Sequence, residues 1–206
     1  MARRLERLAP LTGVAFLILV LVAFIVGGET PDNDDSTAEI VSYWRDEDAR
    51  QVVAAWILGV AALLLVWFGG SLRRTISRAE GGDGRLAAIG FAGTAIASVG
   101  MLLFGSLTFA AASEADEVPP EVIHTISVLN NVLFFPLSGG AALMLLAAGL
   151  ALVYTAALPR WLGWVAIVIG VLILTPLGFF ALLAWLLWVG VVSILLYVRK
   201  PDAAGR

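Results

Sequence analysis

Cysteine is absent from the 206 residues, and histidine and lysine each occur once. The missing thiols exclude disulfides, thiolate metal sites and cysteine nucleophiles together. A bis-histidine haem site needs a second partner for His124, and Lys200 sits too close to the C-terminal end to carry a buried Schiff base. The long apolar runs hold no interior acid. That removes the ligands of zinc-dependent intramembrane hydrolysis. It also removes the mid-depth carboxylate that proton- or sodium-coupled carriers usually keep. Charge of either sign is scarce, at 14% of residues against 60% hydrophobic. Soluble domains do not normally show that balance, so the chain reads as an integral membrane protein.

What is present is arranged in blocks. Apolar runs at 11–28, 52–71, 86–113, 122–157, 161–175 and 177–198 supply six segments. Crossing ~30 Å of hydrocarbon takes about 20 apolar residues per helix. The runs are continuous rather than alternating, and lipid offers backbone groups no partners, so helices are expected rather than a barrel. Twelve of the sixteen acidic residues fall at 29–48 and 114–121, and twelve of the thirteen basic residues fall elsewhere. With six alternating spans, Arg3, Arg4, Arg7, Arg73, Arg74, Arg78, Arg85, Arg160, Arg199 and Lys200 share one side. Only Arg45 and Arg50 take the other. The positive-inside rule then puts both termini in the cytoplasm. The expected fold is all-α: a single-domain, polytopic membrane helix bundle of six transmembrane helices. The longest polar stretch, 29–51, is too short for a second domain.

The first span has two possible fates. Residues 1–7 are basic and the apolar run after them ends in Val26-Gly27-Gly28, so the segment also resembles a secretory signal. Its run is nearly long enough to cross, and Gly-Gly is a mediocre cleavage site, which favours retention. The orientation of the other five spans is the same either way.

In the outer loop, Ser36-Thr37-Ala38-Glu39 fits a capping box. Thr37, Ile40, Val41 and Trp44 then share a helical face, so a short helix over 37–45 is expected in the outer interface, with Trp44 at headgroup level. An acidic, solvated linker is the competing description. Asp46-Glu47-Asp48 places negative charge at the start of span 2, where the helix dipole favours it. On the other side, Gly81-Gly82-Asp83-Gly84 separates two basic clusters. With no strand before it and no Lys-Ser or Lys-Thr after it, this is not a phosphate loop. A topology determinant is preferred there to a headgroup site.

Small residues recur at helical spacing in span 3 (Gly93, Ala97) and span 5 (Gly163, Ala166, Gly170), which predicts close helix packing. Pro119-Pro120 sets the start of span 4, and Pro136 with Gly139-Gly140 predicts a kink inside it. Along that span His124, Ser127, Asn131 and Ser138 fall within an arc of about 60° on a straight helix. Facing Ser98 and Ser106 of span 3, they outline an outward-opening polar cleft. Interhelical hydrogen bonding, worth roughly 0.6–2 kcal/mol per contact, is the stronger explanation of such residues. Catalysis at Ser138-Gly139-Gly140 is excluded, because His124 lies about 21 Å away along the same helix at 1.5 Å per residue. No cofactor or metal is expected.

Past span 4 the chain reads Ala157-Leu158-Pro159-Arg160-Trp161-Leu162-Gly163-Trp164, then Pro176-Leu177-Gly178-Phe179, Leu187-Trp188-Val189 and Ser193-Ile194-Leu195-Leu196-Tyr197. With Tyr43-Trp44 in the acidic loop and the Phe135-Pro136 step, it resembles a family of actinobacterial six-helix integral membrane proteins of unknown function. The resemblance covers nearly the whole chain. It implies a multi-pass protein of the bacterial inner membrane, with no activity and no catalytic residue. Trp161, Trp164 and Tyr197, beside Arg160 and Arg199-Lys200, are expected as interfacial anchors. Trp185 and Trp188 sit deeper and need partners for their indole N–H groups. The function expected is non-enzymatic, in a lipid bilayer, with a lipid, a membrane-protein partner or a second copy of the chain as the bound species. Nothing points to nucleic acid. The alternative is a small-molecule or lipid transporter working through the polar cleft.

Overall fold

The computed structural model describes residues 8–32 and 34–199. Arg3, Arg4, Arg7 and Lys200, which carry part of the expected charge asymmetry, lie outside the described residues. Among those described, the fold is all-helical, without strands. A 3-10 turn, Ala9–Leu11, leads into α1 (Thr12–Gly27). Then come a short α2 (Thr37–Asp46), a long α3 (Asp48–Glu80) and a long α4 (Arg85–Glu114). The chain continues with α5 (Pro120–Val132), α6 (Phe134–Thr155), α7 (Arg160–Ile173) and α8 (Gly178–Val198). Five stretches are long and apolar enough to cross a membrane: Ala9–Gly27, α3, α4, the α5–α6 pair and α8. The apolar α7 is shorter, 14 residues and therefore ~21 Å.

Successive long helices run in opposite directions. Gly13 packs against Phe68 and Ser193 at one end, and Gly27 lies near Gln51 and Ala54 at the other, where Gly105 also meets Ala55. The start of α1, the α3–α4 turn, the α6–α7 turn and the end of α8 therefore share one end of the bundle. Arg73, Arg74, Arg78, Arg85, Arg160 and Arg199 lie toward that end, and the acids of 29–48 and 114–121 toward the opposite one.

The first and last helices are tied together. The Ser193 hydroxyl donates to the Pro10 carbonyl (2.5 Å) and accepts from the Val14 N–H (3.0 Å). Phe16 is fully buried on α1, its ring centroid 5.6 Å from that of Trp185 on α8. Trp188 donates its indole N–H to the Leu162 carbonyl of α7 at 3.1 Å.

Many large apolar side chains point outward, and small residues line the closest helix contacts inside. Val53, Trp56, Val60, Leu63 and Trp67 form one exposed stripe along α3 at helical spacing. Such stripes belong against lipid rather than water. Inside, α4 and α6 meet backbone to backbone. A Cβ on Gly100 would stand 2.6 Å from the Leu137 nitrogen, and one on Gly140 would stand 2.7 Å from the Ala97 Cα. Gly149 of α6 and Gly163 of α7 face each other in the same manner. The small residues of spans 3 and 5 thus lie at the closest helix contacts.

Span 4 runs from Pro120 to Thr155 with a one-residue turn at Leu133, three residues ahead of the proline, where the backbone stays in the helical region. Pro136 has no N–H for the Val132 carbonyl and its ring crowds that carbonyl. The Leu133 N–H bonds instead to the carbonyls of both Leu129 and Asn130, at 3.2 Å each.

Candidate functional site

The acidic end is closed by a cap built from α2, α5 and the last turns of α4. Helix α2 starts where it does because the Ser36 hydroxyl accepts from the Glu39 N–H (3.3 Å). In return, the Ser36 N–H and hydroxyl both donate to the Glu39 carboxylate (3.0 and 2.7 Å). Those bonds, first from the Ser36 side chain and then from its backbone, hold the Glu39 carboxyl below its ordinary value. The face carrying Ile40, Val41 and Trp44 is buried against Ala111, Ala112, Ala115 and Ile123. This corrects the expected position of Trp44, which is 1% exposed and faces protein, not headgroups. The ends of α4 and α5 offer an alanine-lined floor that removes the indole from water completely.

Polar ties surround this small core. Thr37 Oγ1 and His124 Nδ1 are 2.9 Å apart, joining α2 to α5. Arg45 donates to the Ala115 carbonyl (3.1 Å) and pairs with Asp116 (3.0 Å). The C-terminal carbonyls of α1 are held from the α2–α3 side. Gln51 donates to the Gly27 carbonyl at 2.7 Å, Tyr43 to the same oxygen at 3.4 Å, and Arg50 to the Val26 carbonyl at 3.1 Å. A cation there also favours the negative end of the α1 dipole. Burial, reinforced by the Glu47 charge, pushes the Tyr43 hydroxyl up.

The expected polar stripe is only partly assembled. Ser127 is buried on α5 and Ser138 on α6, where the Ser138 hydroxyl has no hydrogen-bond partner among the described residues. His124 is half-buried at the cap. Ser98 is buried but donates to its own helix, at the Thr94 carbonyl (2.9 Å). Two members are corrected. Asn131 and Ser106 face outward, and Ser106 bonds the Leu102 carbonyl. The buried amide is Asn130, which donates to Thr108 Oγ1 at 3.1 Å and so links α5 to α4. The inward face of α5 is Ile123, Ser127 and Asn130, and it continues in helical phase into Ser138, Ala141 and Leu145 of α6, centred to the Asn130 side of the expected arc. Gln51, 2% exposed, is a second buried polar residue, outside the expected stripe. Its only signal in the sequence is a lone amide at the first turn of an apolar run. Trp161 and Trp164 are each 58% exposed beside Arg160, and Tyr197 is half-buried.

Chemically the arrangement is cohesive. Among the described residues, no group of three histidine or carboxylate side chains is placed to hold a metal ion. The single imidazole is engaged with a threonine on another helix. Comparison with known proteins finds no matching family model, no matching curated protein and no matching solved structure.

Proposed function

We propose that the chain is a non-enzymatic, six-span protein of the bacterial inner membrane whose acidic outer cap binds a membrane-protein partner in a structural or regulatory role. One observation carries the proposal: the polar side chains beneath and around the cap are used on helix-to-helix ties. His124 goes to Thr37, Asn130 to Thr108, Gln51 and Arg50 to the end of α1, and Arg45 to Ala115 and Asp116. What remains outward at that end is a dense set of carboxylates. A carrier would need an opening along α4 and α6, where the two helices touch at Gly93, Gly100 and Gly140.

The topology follows from charge. Arginines gather at the end that holds both the start of α1 and the finish of α8, and that end is cytoplasmic by the positive-inside rule. Helix α7 is the sixth crossing. At ~21 Å it requires the bilayer to thin locally, while Trp161 and Trp164 anchor its cytoplasmic end.

Because the chain has no cysteine, single cysteines report topology cleanly. In intact cells an impermeant maleimide should label Asp35→Cys and Glu117→Cys, and Asp83→Cys only after lysis. The inverse pattern would refute the orientation. Native mass spectrometry from lipid nanodiscs then tests the role. A second protein or a second copy retained by the wild type and lost with Trp44→Ala supports partner binding. A bare monomer carrying a stoichiometric small molecule that Asn130→Leu releases would establish the carrier instead.

A further inference from the structure

Helix α5 stands beyond the level at which two of the apolar spans stop. The first span ends at Gly27, beside Gln51 of α3, and one turn deeper Ala55 meets Gly105 of α4. One turn outward on α4, Thr108 accepts from Asn130 at 3.1 Å. Helix α8 begins at Gly178, where a Cβ would lie 3.7 Å from the Phe134 ring. The end of α1, the start of α8 and residues 130–134 therefore share one level. The two spans that stop there are 19 and 21 residues long, close to the ~20 that a crossing takes. From the exposed Tyr154 at the basic end, about 20 residues of α6 likewise reach Phe135. The 13 residues of α5, ~20 Å of helix, project past that apolar layer.

The two faces of α5 differ. Ile123, Ser127 and Asn130 are buried. Opposite them, Val122, Leu129 and Val132 are exposed at spacings of seven and three, and with the exposed Thr125 they form one stripe. Against lipid such a stripe would need no partner. Beyond the hydrocarbon it is apolar surface in water, which marks an interaction face.

Charge says what fits there. Glu114, Glu117 and Glu121 are exposed around the far end of the stripe, and the ion pairs Arg45–Asp116 and Arg50–Glu47 use none of them. Between Arg85 and Arg160 the chain holds no lysine or arginine to neutralise them. A second copy in the same membrane would meet this face about an axis normal to the bilayer, setting Glu117 and Glu121 against their own equivalents. A segment that is apolar near the membrane and basic farther out matches both features.

We infer that the exposed face of α5 docks an amphipathic, basic helix of a membrane-anchored partner, with aliphatic side chains on Val122, Leu129 and Val132 and cationic ones on Glu117 and Glu121. The inference rests on the partner reading above and assigns that partner its place on the cap.

The probe is a synthetic helical peptide with leucines three and seven positions apart and lysines clustered at one end. Its binding to the full chain in phosphatidylcholine nanodiscs is read by fluorescence anisotropy, with empty nanodiscs as the blank. The wild type should bind it and should not bind the same peptide carrying glutamates for lysines. Leu129→Ser should weaken binding by roughly ten-fold, the effect of one lost leucine contact. Glu117→Gln with Glu121→Gln should weaken it by roughly five-fold at low salt and flatten its salt dependence. Asp32→Asn with Asp34→Asn removes two carboxylates from the same end, off α5, and should leave binding unchanged. All these positions are exposed, so the variants should fold as the wild type does. Binding no better than the blank would overturn the inference, and so would an equal loss in the two acid-removal pairs, which would mean a diffuse field. An impermeant maleimide checks the level: in nanodiscs it should label Leu129→Cys and not the mid-span, exposed Val168→Cys. Equal resistance of both would put the stripe in lipid and refute docking there. A partner protein that Leu129→Ser still retains in native mass spectrometry would overturn this placement while leaving the proposed function standing.

Discussion

Gly139 and Gly140 are adjacent on α6, and alanine should have opposite effects at the two positions. A Cβ on Gly139 meets nothing within 4 Å. A Cβ on Gly140 would lie 2.7 Å from both the Ala97 Cα and the Gly93 carbonyl oxygen, and closer still to the Ala97 nitrogen. Ordinary carbon contacts sit at about 3.5–4 Å, so α4 and α6 would have to part by about 1 Å. The atoms in the way are backbone, which a rotamer change cannot move. Overpacking of this kind costs about 1–3 kcal/mol and sometimes more. Separation would also loosen the contacts at Gly93 and Gly100, which puts Gly140→Ala near the top of that range. Against this stands a helix-propensity gain of about 1 kcal/mol for alanine over glycine, common to both variants. Gly140→Ala should therefore be destabilised by about 2 kcal/mol net and Gly139→Ala stabilised by up to about 1 kcal/mol. At about 2–4 °C per kcal/mol for a chain of this size, the two should differ in Tm by roughly 5–15 °C. Thermal unfolding in one detergent, followed by tryptophan fluorescence, reads this directly. Adding Gly93→Ala to Gly140→Ala should cost less than Gly93→Ala alone, since the same separation relieves both. A Tm for Gly140→Ala within about 2 °C of that for Gly139→Ala would refute backbone contact at this seam.

The other predictions concern the cap. Asn130→Ala removes the amide that bonds Thr108 and should cost about 1–2 kcal/mol by the same assay. A loss within about 0.5 kcal/mol of wild type would refute Asn130 as a buried tie between α4 and α5. The folded-state carboxyl of Glu39 lies below its unfolded value, so the capping box contributes fully above that unfolded value and is lost as pH falls through the folded one. Hydrogen-exchange protection of the α2 amides, corrected for intrinsic rates, should fall in acid with a midpoint below the usual carboxyl value. Ser36→Ala should remove that pH dependence. A midpoint at or above the usual value would contradict the hydrogen-bonded box.

The parts of the structure set by local chemistry are readable in the residues. Ser36 and Glu39 define a helix start through contacts three residues apart, and the box forms as its spacing implies. The division of arginines from carboxylates marks the two ends of the bundle without any knowledge of packing. What is not readable is set by a partner helix. Thr37, Ile40, Val41 and Trp44 share a face in either case. Whether that face meets headgroups or alanines depends on where α4 ends and α5 begins, which periodicity within α2 does not encode. Counting 100° steps through a continuous helix from His124 to Ser138 favours Asn131 over Asn130. The buried face, Ile123, Ser127, Asn130, Ser138 and Ala141, keeps its phase through the turn at Leu133 but is centred to the Asn130 side of that arc, which is enough to exchange the buried amide for the exposed one.

The same geometry says where this molecule is stiff and where it yields. At the α4–α6 seam, glycines bring backbone against backbone at Gly93, Gly100 and Gly140, so sliding or rocking there must lift all three contacts at once. The cap is held differently. Its outer tie, Arg45 with Asp116, is largely exposed, with the two side chains 44% and 83% accessible, and exposed pairs are worth about 0–1 kcal/mol. The tie between Thr37 and His124 is a single hydrogen bond. Local opening takes the weakest cooperative unit first. The face of α2 beneath these ties buries Ile40, Val41 and Trp44, so opening it exposes apolar area as well as breaking polar contacts. The proposed partner role requires that face to be displaced or clamped while the seam below stays closed, and the carrier alternative requires the seam to open with it.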